Sequence, residues 1–216
     1  MLGECRRIFA NAANTANRVR KYNGLAAEAL YHPPRLASQL TAATVEYGDY
    51  VLSVGRIESV KRVDLLVSAM ARVDKPIRLV IAGEGTQRAN VERVAEGLGV
   101  SDRVDFLGAV GDERLLGLYR DALAVLYPPF DEDFGYVTLE GFLSRKPVIT
   151  ASDSGGPNEF VVDGVNGIVC APAPEAFADA INLLARDQRR AASMGAAGFE
   201  RARTITWDGV IEKLVS

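Results

Sequence analysis

The chain has 216 residues, of which 48% are hydrophobic and 25% are charged, a composition typical of a soluble globular protein with one good core. It is too short for two full α/β domains. Because no apolar run approaches the roughly 20 residues of a membrane span and residues 1–30 lack a secretory signal, we expect a cytoplasmic protein. Two distant cysteines, Cys5 and Cys170, and a single histidine, His32, predict no disulfide framework, zinc site or His-centred triad.

The net charge of −3 is unevenly distributed along the chain. Residues 1–40 carry six basic and two acidic side chains, a charge of +4, which leaves −7 for the rest. Such a basic head is found in nucleic-acid arms and transit peptides, but this one lacks interleaved aromatic residues and carries Glu4 and Glu28. We therefore predict no nucleic-acid partner. Two interpretations of the basic head are left: it contacts an anionic membrane surface peripherally, or it is simply solvated.

From residue 50 onward, short β-branched runs alternate with segments of helical periodicity. This alternation predicts repeated βα units and hence an α/β fold built on a parallel sheet. The predicted strands are Tyr50–Val54, Arg78–Ala82, Val104–Leu107, Ala124–Tyr127, Pro147–Ala151 and Gly167–Cys170. The first two helices are predicted from the apolar face formed by Val63 to Met70 and from the segment between Thr86 and Gly99. The other predicted helices are Asp112–Asp121, Tyr136–Leu143, Pro174–Arg186, Arg189–Ala202 and Trp207–Val215.

The first 49 residues differ from this pattern. Asn14–Lys21 predicts a short helix and Ala29–Tyr31 a strand. An extended connection is expected at His32–Pro34, because a residue before proline is disfavoured in the helical region. The sequence therefore divides into an appendage with a linker, residues 1–49, and one domain, residues 50–216.

The first βα turn of the domain combines glycine with cations. In an open parallel sheet, ligands bind beyond the carboxyl ends of the strands. Gly55 and Arg56 end the first strand, and Lys61 and Arg62 begin the next helix. Cations at a helix N-terminus oppose the helix dipole, and a bound anion such as phosphate would resolve that conflict. A solvated basic turn is the alternative.

The segment that begins at Asp131 predicts a second anion site. Gly135 permits close approach of a ligand, and the amides of residues 136–138 would be unpaired donors at a helix start. Glu140 lies among apolar helix neighbours and needs hydrogen-bond donors such as sugar hydroxyls. The alternative for Glu140 is a solvent-facing residue or an ion pair. For Glu132 and Asp133 the alternative is helix capping.

Three further patterns are weak by themselves. Asp131–Asp133 imitates an Asp-x-Asp metal motif, but acidic residues at a helix start also complement the dipole, so we predict no metal. Gly83–Gly85 suggests a dinucleotide motif, whose sixth position is here occupied by Arg88. Gly155–Gly156 is a third glycine-rich turn, suited to contacting a ligand or to starting a short helix sharply.

Together these residues resemble a known family. The matching positions are Gly55-Arg56 with Lys61, Phe106-Leu107-Gly108, Glu132 and Glu140 around Phe134-Gly135, Lys146 to Ile149, Ser154-Gly155-Gly156 with Glu159, and in the head Ala10-Asn11-Ala12 with Arg18 and Tyr31 to Pro34. Residues 50–216 resemble the C-terminal domain of retaining GT-B-fold glycosyltransferases of family four. Arg62 stands where the family often has Gly, and Ala12 where it often has Ser. The resemblance implies a Rossmann-like parallel sheet with helices on both faces.

The resemblance also implies a role for each matching residue. Arg56 and Lys61 would bind the diphosphate of a nucleotide sugar and stabilise the leaving group, and Glu132 would complete the catalytic set by contacting sugar hydroxyls. Glu140 would accept hydrogen bonds from the ribose diol. The rest of the donor site would comprise Gly55, Gly83, Leu107, Val110, Phe134, Gly135, Tyr136, Val137 and Thr138. The family transfers with retention, and the resemblance implies no cofactor, no metal and no protein nucleophile.

In that family the N-terminal domain supplies most of the acceptor site, and 49 residues cannot contain it. We therefore expect this chain to bind a nucleotide sugar but to need its missing half, in a longer parent protein or as a separate chain, for transfer. Two alternatives are a nonenzymatic nucleotide-sugar or protein-binding module and a structural α/β domain without a working site. The base, the sugar and the acceptor are not determined by the sequence.

Overall fold

A six-stranded parallel sheet forms the centre of the molecule. The computed structural model describes residue 5, residues 7–74 and residues 76–216. After two short N-terminal strands, β1 (Phe9–Ala10) and β2 (Glu28–Ala29), the sheet strands are β3 (Tyr50–Val54), β4 (Arg78–Ala82), β5 (Val104–Gly108), β6 (Ala124–Leu126), β7 (Val148–Ala151) and β8 (Gly167–Cys170). Their spatial order is β5-β4-β3-β6-β7-β8. The order reverses between β3 and β6, which makes that gap the topological switch point.

Helices cover both faces of the sheet, as predicted. They are α1 (Ala13–Asn23), α2 (Ala37–Ala42), α3 (Val63–Met70), α4 (Arg88–Gly97), α5 (Asp112–Asp121), α6 (Tyr136–Leu143), α7 (Pro174–Arg186), α8 (Gln188–Ala202) and α9 (Trp207–Val215). Successive strand residues point to opposite faces. In β3, Val51 packs with α3, α4 and α7, whereas Leu52 packs with α2, α5 and α6. Burial on both faces explains why the strands are almost continuously apolar.

The predicted elements of residues 50–216 are confirmed, with small shifts at their ends. Strand β7 begins at Val148 rather than Pro147, whose missing N–H cannot join a ladder. Helix α4 stops before Gly99, as predicted, and that glycine is left-handed with φ +66°. Strand β6 ends one residue before Tyr127.

Residues 7–49 pack against the domain. Helix α1 is longer than predicted, and the predicted strand at Ala29–Tyr31 is wrong by a shift, since β2 covers Glu28–Ala29 and pairs in parallel with β1. Strand β1 and helix α2 were not predicted, because two and six residues are too short for a periodic pattern. Leu36 and Leu40 are buried in the same core as α5 and α6.

The basic head is partly neutralised by acidic side chains. Arg7 pairs with Glu28, Arg35 pairs with Asp112, and Arg18 pairs with two aspartates of the loop after β6. Glu4 and Arg6, which also contribute to the charge of the head, lie outside the described residues. Within the described residues, no helix combines the length and apolar character needed to cross a bilayer.

Candidate functional site

A cleft opens at the switch point, beyond the carboxyl ends of β3 and β6. It has a volume of about 380 Å³. Its lining, which we call the central cleft, comprises Asn11, Val54, Gly55, Arg56, Lys61, Tyr127, Glu132, Asp133, Phe134, Gly135, Tyr136 and Val137. Eight of the predicted site residues therefore meet here, although they lie in two segments more than 70 residues apart. This is where a doubly wound sheet binds its ligand.

Glycines allow the strand ends to approach one another at this edge. A Cβ on Gly83 would lie 1.9 Å from the carbonyl oxygen of Gly55, and its φ of +150° is unfavourable for other residues. Gly135 has φ +83°, and a Cβ there would lie 2.9 Å from Pro157 Cγ. Gly83 therefore acts in packing between strands, and Gly135 gives the chain its sharp entry into α6.

Two cations lie in the central cleft in different states. Arg56 is exposed, and its side chain makes no hydrogen bond or ion pair with the described residues. Lys61 is only 16% exposed and pairs with Glu132. Its Nζ also lies 3.4 Å from the hydroxyl of Tyr127. Burial raises the pKa of Tyr127, and the negative charge of Glu132 raises it further, so this hydroxyl stays protonated.

Arg62 has a structural role, which corrects the expectation that it awaits an anion beside Lys61. Its guanidinium donates to both carboxylate oxygens of Asp153, at 2.9 and 2.6 Å, and to the carbonyl oxygens of Pro128 and Pro129. Its φ of +51° places it in a left-handed turn ahead of α3. The paired guanidinium connects the loops after β6 and β7, so no bound anion is needed to neutralise it.

The acidic segment 131–133 does not cap α6, so the capping alternative for Glu132 and Asp133 is wrong. The N-cap of α6 is Gly135, which offers no side chain. Asp131 and Asp133 both pair with Arg18, and Glu132 pairs with Lys61. Hydrogen bonds from Arg18 and Asn14 hold the pKa of Asp131 below its ordinary value. The three carboxylates therefore connect the head, the loop after β6 and the cleft.

The first turn of α6 supplies two of the three amide donors that were predicted. Among the described residues, the N–H groups of Tyr136 and Val137 have no backbone acceptor. The third amide was a wrong prediction, because Thr138 N–H donates to the Gly135 carbonyl at 3.0 Å. Two free amides at a helix N-terminus still form an anion-binding group at the edge of the central cleft.

Glu140 lines a neighbouring space, the side cavity, of about 530 Å³, together with Pro33, Arg35, Tyr136 and Trp207. Tyr136 borders both spaces. The Glu140 carboxylate is half-buried and accepts a hydrogen bond of 2.7 Å from the buried Tyr119 hydroxyl. Burial raises the pKa of Glu140, and the Tyr119 bond partly offsets that rise. Among the described residues, Tyr119 is the one side chain that donates a hydrogen bond to this carboxylate, which leaves it acceptor capacity for a ligand.

Gly83, Leu107, Val110 and Thr138 do not line the central cleft. Leu107 packs against the core beneath α5, and Thr138 is fully buried with an unpartnered hydroxyl. The parts of the site that were not predicted are, in the cleft, Asn11, Val54, Tyr127 and Asp133 and, in the side cavity, Pro33, Arg35 and Trp207. Tyr127 carried a usable signal, since it ends the predicted strand immediately before Pro128, and Asn11 and Pro33 were among the positions that match the family.

No group of three or more His, Cys, Asp or Glu side chains in the described part of the chain is arranged to hold a metal. In the acidic triplet, the carboxylates of Asp131 and Asp133 are already engaged by a guanidinium. Metal-independent chemistry stays a prediction.

Comparison with known proteins identifies relatives. The family described as "Glycosyl transferases group 1" matches residues 43–201. The D-inositol 3-phosphate glycosyltransferase of Nocardia farcinica is 31% identical, over all of this chain and 52% of its own length. That of Segniliparus rotundus is 37% identical, over 77% of this chain and 38% of its own length. The chain thus spans about half of the length of one of these curated relatives and less than half of the other.

Solved structures share the fold. HepE of Anabaena, solved with UDP and glucose, superposes with a TM-score of 0.84 at 22% identity, covering 97% of this chain and 62% of that one. Sucrose-phosphate synthase of Thermosynechococcus elongatus superposes with a TM-score of 0.80 at 25% identity, covering 98% of this chain and 57% of that one. These similarities confirm the predicted Rossmann-like architecture and its correspondence to one half of a GT-B protein.

Proposed function

The chain belongs to the group 1 glycosyltransferase family, and from this premise we propose that residues 50–216 are the donor-binding domain of a glycosyltransferase. They bind a nucleotide-diphosphate sugar, whose glycosyl group is transferred to an acceptor with retention. The observation that carries the proposal is the convergence of Arg56, Lys61, Glu132 and two free amides of α6 in one cleft at the switch point. Membership of a transferase family favours this function over a nonenzymatic binding module.

The diphosphate is the group that the central cleft suits best. Arg56 supplies a side chain without a partner among the described residues, and Lys61 supplies a second cation. The amides of Tyr136 and Val137 lie at the positive end of a helix dipole. As the glycosidic bond breaks, negative charge grows on the leaving diphosphate, and these groups stabilise it electrostatically. Glu132 in the same cleft accepts hydrogen bonds from sugar hydroxyls.

Glu140 binds the ribose diol in this proposal. An ionised carboxylate offers only acceptors and makes stronger hydrogen bonds to the two hydroxyls, whereas protonation turns one of its oxygens into a donor. Since burial raises its pKa, donor affinity should fall as the pH is lowered toward that pKa. The decrease should set in at a higher pH than for an ordinary glutamate. Gly83, Leu107 and Val110 lie further along the same edge of the sheet and border the base in the proposal.

The length of the chain supports a missing partner. This chain spans about half or less of its curated relatives, and in the proposal the acceptor site belongs to an N-terminal domain, in a longer parent protein or in a separate chain. Transfer is proposed to need no metal. The proposed location is the cytoplasm, and among the described basic residues of the head any contact with the inner membrane face would rest on Arg20 and Lys21, since Arg7, Arg18 and Arg35 are paired.

The test is a metal-free calorimetric panel of UDP, GDP, ADP and TDP, each with and without its sugar, at fixed salt. We expect one nucleotide to bind the wild type and to bind Arg56→Ala and Glu140→Ala at least about tenfold more weakly. Arg93→Ala, an exposed arginine of α4 outside both spaces, is the matched control and should bind as the wild type does. Unchanged binding in both site variants, or no binding to any nucleotide, would refute the proposal.

A further inference from the structure

Lys61 is already neutralised before any ligand arrives. Its ammonium pairs with the Glu132 carboxylate inside the central cleft, where the two side chains are only 16% and 23% exposed. The Tyr127 hydroxyl lies 3.4 Å from the same nitrogen. A half-buried pair of this kind is screened less by water than an exposed pair, so separating it has a measurable cost.

Glu132 cannot easily leave this position by movement of its backbone. Its N–H donates to the Ser154 carbonyl at 2.9 Å, and its own carbonyl accepts from Gly156 N–H at 2.8 Å. The residue forms an isolated parallel bridge to Gly155 in the loop after β7, where a Cβ would lie 2.7 Å from the Glu132 carbonyl oxygen. Only the side chain is free to exchange partners.

We propose that Glu132 is an internal competitor for the diphosphate and thereby a residue that discriminates between donor and product. This inference rests on the proposed function of the cleft. In the ligand-free molecule the carboxylate occupies the position beside Lys61 that a phosphate would take. An incoming diphosphate displaces it, and Glu132 then needs other hydrogen-bond donors, since an unpaired carboxylate near an anion is unfavourable.

The two kinds of ligand differ in what they offer the displaced carboxylate. A nucleotide sugar brings hydroxyl donors, which satisfy Glu132 while Lys61 binds the diphosphate. A nucleoside diphosphate brings no sugar and carries additional negative charge on its terminal phosphate, which repels Glu132. The carboxylate therefore weakens binding of the released diphosphate more than binding of the donor. Re-forming the Lys61 pair favours product release.

Asp133 provides the matched control. It neighbours Glu132 and also lines the cleft, but its carboxylate pairs with Arg18 and is exposed by 56%. Glu132→Gln and Asp133→Asn remove the same charge, one residue apart. A general reduction of negative potential in the cleft would affect anion binding similarly in both variants, whereas release of Lys61 occurs only in the first.

The experiment is calorimetric titration with inorganic pyrophosphate, without metal and at fixed salt. We expect Glu132→Gln to bind pyrophosphate about three- to tenfold more tightly than the wild type, and Asp133→Asn to change binding by less than about twofold. The gain should disappear when Glu132→Gln is combined with Lys61→Met. Should Glu132→Gln fail to fold, Glu132→Asp, whose shorter side chain retreats from Lys61, should show a smaller gain of the same sign.

A second titration measures discrimination, with the nucleotide from the binding panel as the probe. The ratio of affinity for the nucleotide sugar to affinity for its diphosphate should fall at least threefold in Glu132→Gln. Pyrophosphate binding that is unchanged or weaker in Glu132→Gln, an equal gain in Asp133→Asn, or no pyrophosphate binding in any variant would overturn the inference. If no nucleotide binds but Glu132→Gln still gains pyrophosphate affinity through Lys61, the proposed function fails and the competition stands.

Discussion

Glu159 should be the most sensitive point of attachment between the N-terminal segment and the domain. Its carboxylate accepts hydrogen bonds from the backbone N–H groups of Ala13 and Asn14, at 2.9 and 2.6 Å, and from the Tyr31 hydroxyl at 2.8 Å. Helix α1 has Ala12 at its N-cap and no side-chain cap of its own. The carboxylate of Glu159, which is distant in sequence, therefore caps the N-terminus of α1 in place of an N-cap side chain and also complements the helix dipole.

The substitution Glu159→Gln removes the charge and turns one acceptor into a donor that faces a backbone N–H. Loss of an N-cap interaction costs about 1 kcal/mol, and weakening a charged hydrogen bond to Tyr31 costs about 1–2 kcal/mol. We therefore expect the free energy of unfolding to fall by about 2–3 kcal/mol, which in a chain of this size lowers Tm by roughly 5–10 °C.

Denaturant unfolding and hydrogen exchange measure this effect. The amides of α1 should lose protection before those of β3. The pKa of Tyr31, raised to about 12 by burial and then by Glu159, should move toward 10 in an absorbance titration. Glu175→Gln, which affects an exposed pair with Arg72, is the control and should change stability by less than about 0.5 kcal/mol. A loss equal to that of the control, with the protection of α1 unchanged, would refute the reasoning.

Two other substitutions test packing and burial. Gly83→Ala should lower the free energy of unfolding by more than about 3 kcal/mol in chemical denaturation, because the new Cβ would lie 1.9 Å from the Gly55 carbonyl oxygen. Gly117→Ala, in the open middle of α5, is the control and should be neutral or stabilising. Equal effects of the two substitutions would contradict the packing role of Gly83. Lys146 is fully buried and donates to the Glu46 carbonyl, and burial lowers its pKa to about 8. Because the folded protein then binds fewer protons than the unfolded chain between pH 8 and 10.5, wild-type stability relative to Lys146→Met should rise across that window, by at most about 1.4 kcal/mol per pH unit. A difference that is flat or falls with pH would exclude a lowered pKa.

The sequence was most informative where the hydrophobic period alone distinguishes a strand from a helix. Strands β3, β4 and β8 and helices α5, α6, α7 and α9 have the predicted bounds, because buried parallel strands and amphipathic helices have distinct periods. The glycines and charged residues at strand ends also pointed to the edge of the sheet where the central cleft lies. A parallel sheet brings its βα turns together at one edge. The sequence alone could therefore place four residues of the cleft together, namely Arg56, Lys61, Glu132 and Gly135.

Pairings between distant side chains were decided only by the tertiary structure. Neighbouring Lys61 and Arg62 look equivalent in the sequence, yet one lies in the cleft with Glu132 and the other is bound to Asp153. Likewise, nothing near Ala12 indicates that α1 is capped by Glu159. Local propensity and hydrophobic period depend on residues a few positions apart, and they determined the elements and the edge of the sheet at which the central cleft opens. Which charge meets which depends on how loops far apart in sequence are brought together, and only the folded chain sets those distances.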